Sequence, residues 1–388
     1  MSQHQGTQRL ISSRETLSNV KPYWSAFGLT RCIDITALDR LGIPVYAGVR
    51  PRGTCLQVSS GKGITHENSS CSAVMEALEI YHAENPAPSV LSWACEEEVF
   101  ICNESLLFNS YLDNQILYRY RDSVHAAKIK QAWIRARELT SGKDILIPAG
   151  MAYFLQPSRH STTTNGLASG NSLEEATLHA LYEVIERDSV SALCVDGKVK
   201  LATIGKVVDS SSITSMPLVQ LIRKIHDAEC EVKLIYVPNE LPVYVYIAYI
   251  LDPNPLNGIS YLHVGYGCHA DQEIAATRSV TEAAQARLIF IHSSREDIYD
   301  TLASANKSRG PSKAFKFIRK LKECTPWDNT KKEYELEASS IQGALKHLLN
   351  DMSTLAHPVY RHVLHCEIPK VSVVKVIVPT MRFNQALI

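Results

Sequence analysis

Six glutamates and two arginines, spread over three predicted helices, are the residues whose types and spacing could do chemistry. In Ser72-Ala-Val-Met-Glu76-Ala-Leu-Glu79 the two carboxylates are three residues apart and leave the same side of one helix. They sit among alanine, valine, leucine and isoleucine, where carboxylates without a partner are costly. The second stretch runs from Asn171 through Glu175 to Glu183-Val-Ile-Glu186-Arg187. At about 100° per residue, Glu175, Glu183 and Glu186 fall within roughly 80° of one another around the axis. Arg278-Ser-Val-Thr-Glu282 is the third, an i,i+4 pair in a similarly apolar setting. Glutamate oxygens suit magnesium, which keeps waters and bridges carboxylates to phosphates. Arg187 and Arg278 have the planar fork that clamps phosphate oxygens. Together these residues point to a magnesium–nucleotide site.

Each pattern also has an ordinary structural explanation. Ser172-x-x-Glu175 fits a capping box that closes a helix start. Arg278 and Glu282 fit a surface ion pair. Glu76/Glu79 and Glu183/Glu186 fit solvent-facing helix positions. Standard nucleotide motifs are missing: Gly61-Lys62-Gly63 fails the Walker pattern, and Gly166-Leu-Ala-Ser-Gly170 fails Gly-x-Gly-x-x-Gly. A Gly-rich turn before a helix still presents amides to an anion.

The elements that must position these residues follow from periodicity and punctuation. The first 20 or so residues read as a polar, partly flexible tail, and residues 21–388 as one domain whose sub-lobes the sequence does not separate. Short strands are predicted in 28–39, 42–50 and 54–59, the last ending in a turn at Ser60-Gly-Lys-Gly63. Helices are predicted over 68–84, 172–194 and 273–292 from apolar residues at three- and four-residue spacing. Residues 107–120 and 130–139 give mixed signals, and 145–155 reads as a buried strand. Strands are predicted in 232–237, 243–251, 261–268, 360–366 and 371–378, with a turn at Asn257-Gly and a helix ending near Met352. Helices and strands interleave without a fixed repeat, which predicts an α/β or α+β fold.

Composition excludes several classes. The 388 residues carry 40 basic and 40 acidic side chains, which argues against broad capture of nucleic acid or of an anionic membrane. The basic run from Lys307 to Lys332 reads as a solvated helix and loop face. Ten scattered cysteines show no zinc spacing. The polar N-terminus lacks a signal-peptide core, and no apolar run is long enough to span a bilayer. These features predict a cytoplasmic protein.

Taken in order, Ser60-Gly-Lys-Gly, Ser72-x-x-x-Glu76-x-x-Glu79, Gly166-Leu-Ala-Ser-Gly-Asn171, Glu175, Glu183-Val-Ile-Glu186-Arg187-Asp188 and Thr281-Glu282-Ala-Ala-Gln-x-Arg287 resemble the YcaO family. The likeness runs from Gly28 to Pro379. It implies a YcaO-type fold of mixed sheets packed with helices, with ATP between the lobes and no P-loop. By the same likeness Glu76, Glu79, Glu175, Glu183, Glu186 and Glu282 look like magnesium and ATP residues. Ser72, Asn171, Arg187 and Arg278 look like nucleotide contacts. Turnover is expected to depend on Glu76, Glu186, Arg187 and Glu282. One position departs: some relatives have serine where this chain has Ala168, with Ser169 next to it.

Family chemistry phosphorylates a backbone amide oxygen of a peptide or protein substrate after a nucleophile adds. A neighbouring Cys, Ser or Thr gives an azoline; external sulfide gives a thioamide. The Pro-x-Pro-x-Pro ending of many azoline-forming members is missing here. Gly28-Leu-Thr-Arg, Leu38-Asp-Arg-Leu-Gly-Ile-Pro-Val45 and Ser294-Arg-Glu-Asp297 look more like members paired with TfuA proteins in thioamide formation. The likeness implies a TfuA-like or other sulfur- or substrate-delivery partner and a homodimer. Two other classes remain open: a non-catalytic helper of a ribosomal-protein methylthiotransferase, and a side-chain phosphotransferase.

Overall fold

The computed structural model describes residues 3–4, 7–95, 98–99, 130–155, 162–195, 198–255, 261–292, 311–331 and 340–384. The mixed signals in 107–120, the turn at Asn257, the motif at Ser294–Asp297 and the basic residues Lys307, Arg309 and Lys332 lie outside them. In chain order the main elements begin with α1 (Ser13–Val20), β1 (Arg31–Asp34), β2 (Val45–Val49), β3 (Val58–Lys62), α2 (His66–Glu84), β4 (Ser92–Ala94), β5 (Gln131–Glu138), β6 (Asp144–Pro148) and β7 (Leu167–Gly170). They continue with α3 (Leu173–Ser191), β8 (Lys206–Val207), α4 (Met216–Asp227), β9 (Glu231–Tyr236), β10 (Tyr244–Leu251), β11 (Leu262–His269) and α5 (Gln272–His292). The last are α6 (Lys313–Arg319), α7 (Ile341–Thr354), β12 (Tyr360–Leu364) and β13 (Ser372–Ile377). The chain divides into two compact units, Met1–Ala77 with Ala192–Glu337 and Leu78–Ser191 with Ala338–Ile388. The mixed α/β class matches expectation, and helix α1 occupies part of the segment read as a tail.

The first unit holds two antiparallel meanders, β1-β2-β3 and β8-β9-β10-β11. Strand β10 is apolar along almost its whole length because it lies inside its sheet and under helix α5. On α5, Ala275, Ala276, Val280, Ala283 and Ala284 enter the core with Val232, Leu234, Tyr246 and Ile250 from the sheet. Helix α4 begins at Ser215, whose side chain caps the Leu218 N–H, and adds Leu218, Leu221, Ile222 and Ile225. Each such buried side chain contributes about 1.5–3 kcal/mol. Farther along α5, Leu288 packs with Ile35, Val45 and Ala47, so one helix serves both meanders.

In the second unit the sheet runs β4-β5-β12-β13-β7, with β6 also paired to β5. Helix α3 packs on β7 and β13, and α7 packs on α3. Helix α7 starts at Ser340, which caps the Gly343 N–H.

Two predicted turns are strands. Ser60-Gly61-Lys62 belongs to β3, and Leu167–Gly170 forms β7 rather than a Gly-rich turn. Serine and glycine have weak strand propensity, but these glycines answer a packing need. A Cβ on Gly61 would lie 2.1 Å from the Ser69 carbonyl oxygen and 2.2 Å from the Ala73 nitrogen of α2. On β11, a Cβ on Gly267 would lie 2.1 Å from the Ala275 oxygen of α5. Gly170 meets the Ala176 nitrogen of α3 in the same way, at 2.5 Å. Only a residue without a side chain lets the strand backbone approach the helix this closely.

The basic segment behaves as expected where described: Lys313, Lys316, Arg319 and Lys320 of α6 and its end are exposed. Among the described residues, no helix is long and apolar enough to cross a membrane.

Candidate nucleotide site

Helices α2, α3 and α5 carry the predicted residues apart from Asn171, which lies two residues before α3, and none of the six glutamates is exposed. The reading of Glu76/Glu79 and Glu183/Glu186 as solvent-facing positions therefore fails. Ser72, Glu76, Arg278 and Glu282 lie in the first unit; Glu79, Asn171, Glu175, Glu183, Glu186 and Arg187 lie in the second.

In the first unit Glu76 Oε2 accepts the Ser60 N–H at 2.7 Å. Glu282 Oε1 accepts the Tyr266 N–H at 3.3 Å, and its other oxygen pairs with the Lys62 ammonium. Both amides belong to sheet-edge strands, β3 and β11. An edge strand presents N–H groups without a ladder partner, and a buried N–H must find one. The helix carboxylates supply it, and the demand in turn fixes the carboxylates. The two bonds span the same sequence separation, 16 residues.

Arg278 and Arg9 both act on one buried histidine. His269, deeply buried at the end of β11, accepts the Asp271 N–H on Nδ1 at 2.9 Å. Burial holds its pKa down to about 3, with the charges of Arg278 and Arg9 adding to the shift. This imidazole is therefore neutral at physiological pH, and Arg9, within the segment whose sequence reads as a tail, is a nearby cation.

The second unit repeats the device. Glu79 Oε1 accepts the Ser169 N–H at 2.7 Å and the Ser169 hydroxyl at 2.6 Å. Ser169 lies on β7, again a sheet-edge strand. It is the neighbour of Ala168, the position where the sequence departs from the family pattern. Glu175 is 3% exposed and accepts from the Asn171 amide at 3.1 Å. Ser172 caps the Glu175 N–H, so the capping explanation holds for Ser172 while the Glu175 carboxylate faces Asn171. Glu186 is buried, with the Arg187 Nε 3.6 Å from its Oε1.

Lys375 of β13 is buried, and its ammonium donates to the Thr163 carbonyl at 2.6 Å. Burial lowers its pKa from 10.5 to about 8, and Glu183 opposes that shift. Its folded pKa is depressed, so its contribution to stability is fully present above pH 10.5 and is lost as pH falls through 8. Wild-type melting temperature should therefore rise relative to Lys375→Met as pH increases across this window. Calorimetry on both proteins checks this, and the difference cancels tyrosines common to both.

Three segments align once the structure is seen: Ser72-Ala-Val-Met-Glu76-Ala-Leu-Glu79, His179-Ala-Leu-Tyr-Glu183-Val-Ile-Glu186 and Arg278-Ser-Val-Thr-Glu282-Ala-Ala-Gln285. Each puts a small residue three before the first glutamate and a carboxylate or amide three after it. Sequence reasoning found no fixed repeat because these copies do not recur at the short, regular period of a solenoid. The alignment brings out Gln285, to which the sequence assigns no role of its own.

Among the described residues, no three His, Cys, Asp or Glu side chains form a group that would hold an ion unaided. Magnesium takes one or two carboxylates and completes its shell with water and substrate phosphates. Hard oxygen donors in ones and twos, half-buried or buried and three of them held by backbone amides, fit that ion.

Comparison with known proteins agrees with this. A family model described as YcaO cyclodehydratase, ATP- and Mg2+-binding, matches residues 60–382. An uncharacterised protein of Mycobacterium tuberculosis is 33% identical over 300 residues, 76% of this chain and 64% of that protein. The chain thus spans less than two thirds of that relative's length. A Rhizobium leguminosarum protein, described as lying in the tfuA 3' region, is 31% identical over 297 residues, 74% of this chain and 69% of its own. YcaO from Methanopyrus kandleri, solved with AMPPCP and Mg2+, superposes with a TM-score of 0.74 at 21% identity, covering 97% of this chain and 92% of that one. A heterocyclase solved with substrate and cofactor gives the same TM-score and identity, covering 97% of this chain and 53% of that chain. The chain belongs to the YcaO family, whose members are described as ATP- and Mg2+-binding cyclodehydratases.

Proposed function

We propose that this chain uses magnesium-bound ATP to activate a backbone amide oxygen of a peptide or protein substrate, and that the product is a thioamide. The observation that carries the amide-activating reading is the set of unexposed glutamates on α2, α3 and α5, three of them held by edge-strand amides. A non-catalytic helper of a methylthiotransferase has no use for half-buried or buried carboxylates fixed in place, since each carries a desolvation cost.

The proposed magnesium ligands are Glu76, Glu79, Glu175, Glu183, Glu186 and Glu282. Bound magnesium–ATP supplies a phosphoryl group that turns the amide oxygen into a leaving group, released as phosphate. The chain's own part is positioning and charge. Glutamates held by backbone N–H groups keep their geometry without reorganising, which is where phosphoryl-transfer enzymes gain rate. Arg187 and Arg278 are assigned to phosphate oxygens, Ser72 and Asn171 to the nucleotide.

Thioamide formation is favoured by the relative in a tfuA 3' region, which also supports a TfuA-type delivery partner. Azoline formation is the second reading, favoured by the cyclodehydratase description of the family. Intact-mass analysis of a substrate peptide after incubation with ATP, Mg2+ and a sulfide source separates the outcomes. Exchange of one oxygen for sulfur is expected. Loss of one water selects the azoline, and a stable phosphoryl adduct overturns both in favour of a side-chain phosphotransferase.

A further inference from the structure

The backbone of Ser60 is held from two helices at once. Its N–H is taken by Glu76 of α2. Its carbonyl accepts from Gln285 Nε2 of α5 at 2.6 Å, and its hydroxyl lies 3.0 Å from the same nitrogen. Ser60 is buried on an edge strand, so both its outward-facing backbone groups need partners inside the protein. Gln285 stands where the other two copies of the helix segment carry Glu79 and Glu186. A carboxylate there would have nothing to donate to a carbonyl and would face it with like partial charge; the amide has the donor the contact requires.

We infer that Gln285 is a positioning residue for Glu76. It locks Ser60 against α5, and Ser60 aims the carboxylate of α2. Because Gln285 and Glu282 lie one turn apart on α5, the same brace sets the spacing of Glu76 from Glu282, the two proposed magnesium ligands of this unit. This rests on the magnesium–ATP reading given above. Residues that orient a metal ligand through one hydrogen bond change metal affinity by about 10- to 100-fold when lost.

The test is a Mg2+ titration of AMPPCP binding, followed by calorimetry, on the full chain. Five proteins are compared: wild type, Gln285→Met, Gln285→Glu, Ser60→Ala and Glu76→Gln. Gln285→Met keeps the side-chain length and removes the donor. It should need about tenfold more Mg2+ for half-maximal binding, as should Gln285→Glu, which keeps the shape. Ser60→Ala removes one of the two Gln285 contacts and should give a smaller shift; it serves as the readout if a Gln285 variant folds poorly. Wild-type Mg2+ dependence in Gln285→Met and Ser60→Ala, with Glu76→Gln shifted, overturns the positioning role and leaves the site assignment standing. Wild-type dependence in all of them, Glu76→Gln included, overturns the site assignment and this inference with it.

Discussion

Glu76→Gln should lower substrate-stimulated ATP hydrolysis by on the order of 100-fold or more while the protein melts at its usual temperature. The substitution is close to isosteric, and the glutamine carbonyl oxygen can still accept the Ser60 N–H that Glu76 accepts at 2.7 Å. What is lost is the negative charge that a divalent ion requires. A phosphate-release assay at high Mg2+, beside a melting curve, reads both halves of the expectation. Full turnover would remove Glu76 from the site. Glu186→Gln should act in the same direction, but Glu186 is buried beside Arg187, so its loss also disturbs a neighbouring cation. Glu76 is the cleaner probe.

The largest effect on stability should come from Arg287→Met, at about 3–5 kcal/mol. Arg287 Nε donates to Asp39 Oδ2 at 2.9 Å, and its Nη1 lies 3.0 Å from Asp252 Oδ2. Asp252 is fully buried and also takes Arg40 Nη2 at 2.9 Å. Removing the arginine leaves two carboxylates withdrawn from water with their shared cation gone. Urea unfolding followed by circular dichroism measures the loss; a change below about 1 kcal/mol would mean that water or Arg40 takes over. Arg287 belongs to the sequence stretch that resembles the family's site, yet in this chain it acts as a brace within the first unit. A loss of activity in Arg287→Met would need a correction for unfolded protein before it says anything about chemistry.

The three glutamate helices were legible because the 3.6-residue period and the apolar surroundings of Glu76, Glu183 and Glu282 are local signals. Strands β9, β10 and β11 were legible from a different local signal, β-branched and aromatic residues alternating at a period of two. The second half of strand β3, and strand β7, read as turns because Gly61 and Gly170 look like turn residues. Their reason for being glycine is a helix backbone six to twelve residues on in the chain, as the Ser69, Ala73 and Ala176 contacts show. The Asp39–Arg287–Asp252 network and the Gln285–Ser60 bond join residues more than 200 positions apart. One sequence carries no signal for such pairings. Arg9 escaped notice because a polar N-terminal stretch gives no hint of where its charge will lie.

Three carboxylates that should receive a metal ion now hold the amide protons of Ser60, Ser169 and Tyr266. That gives the protein three built-in spectroscopic reporters. A cation drawing electron density from each carboxylate weakens the bond to its amide, and the nitrogen-15 and proton resonances of those residues move. Nucleotide loading becomes visible residue by residue, without any label on the ligand.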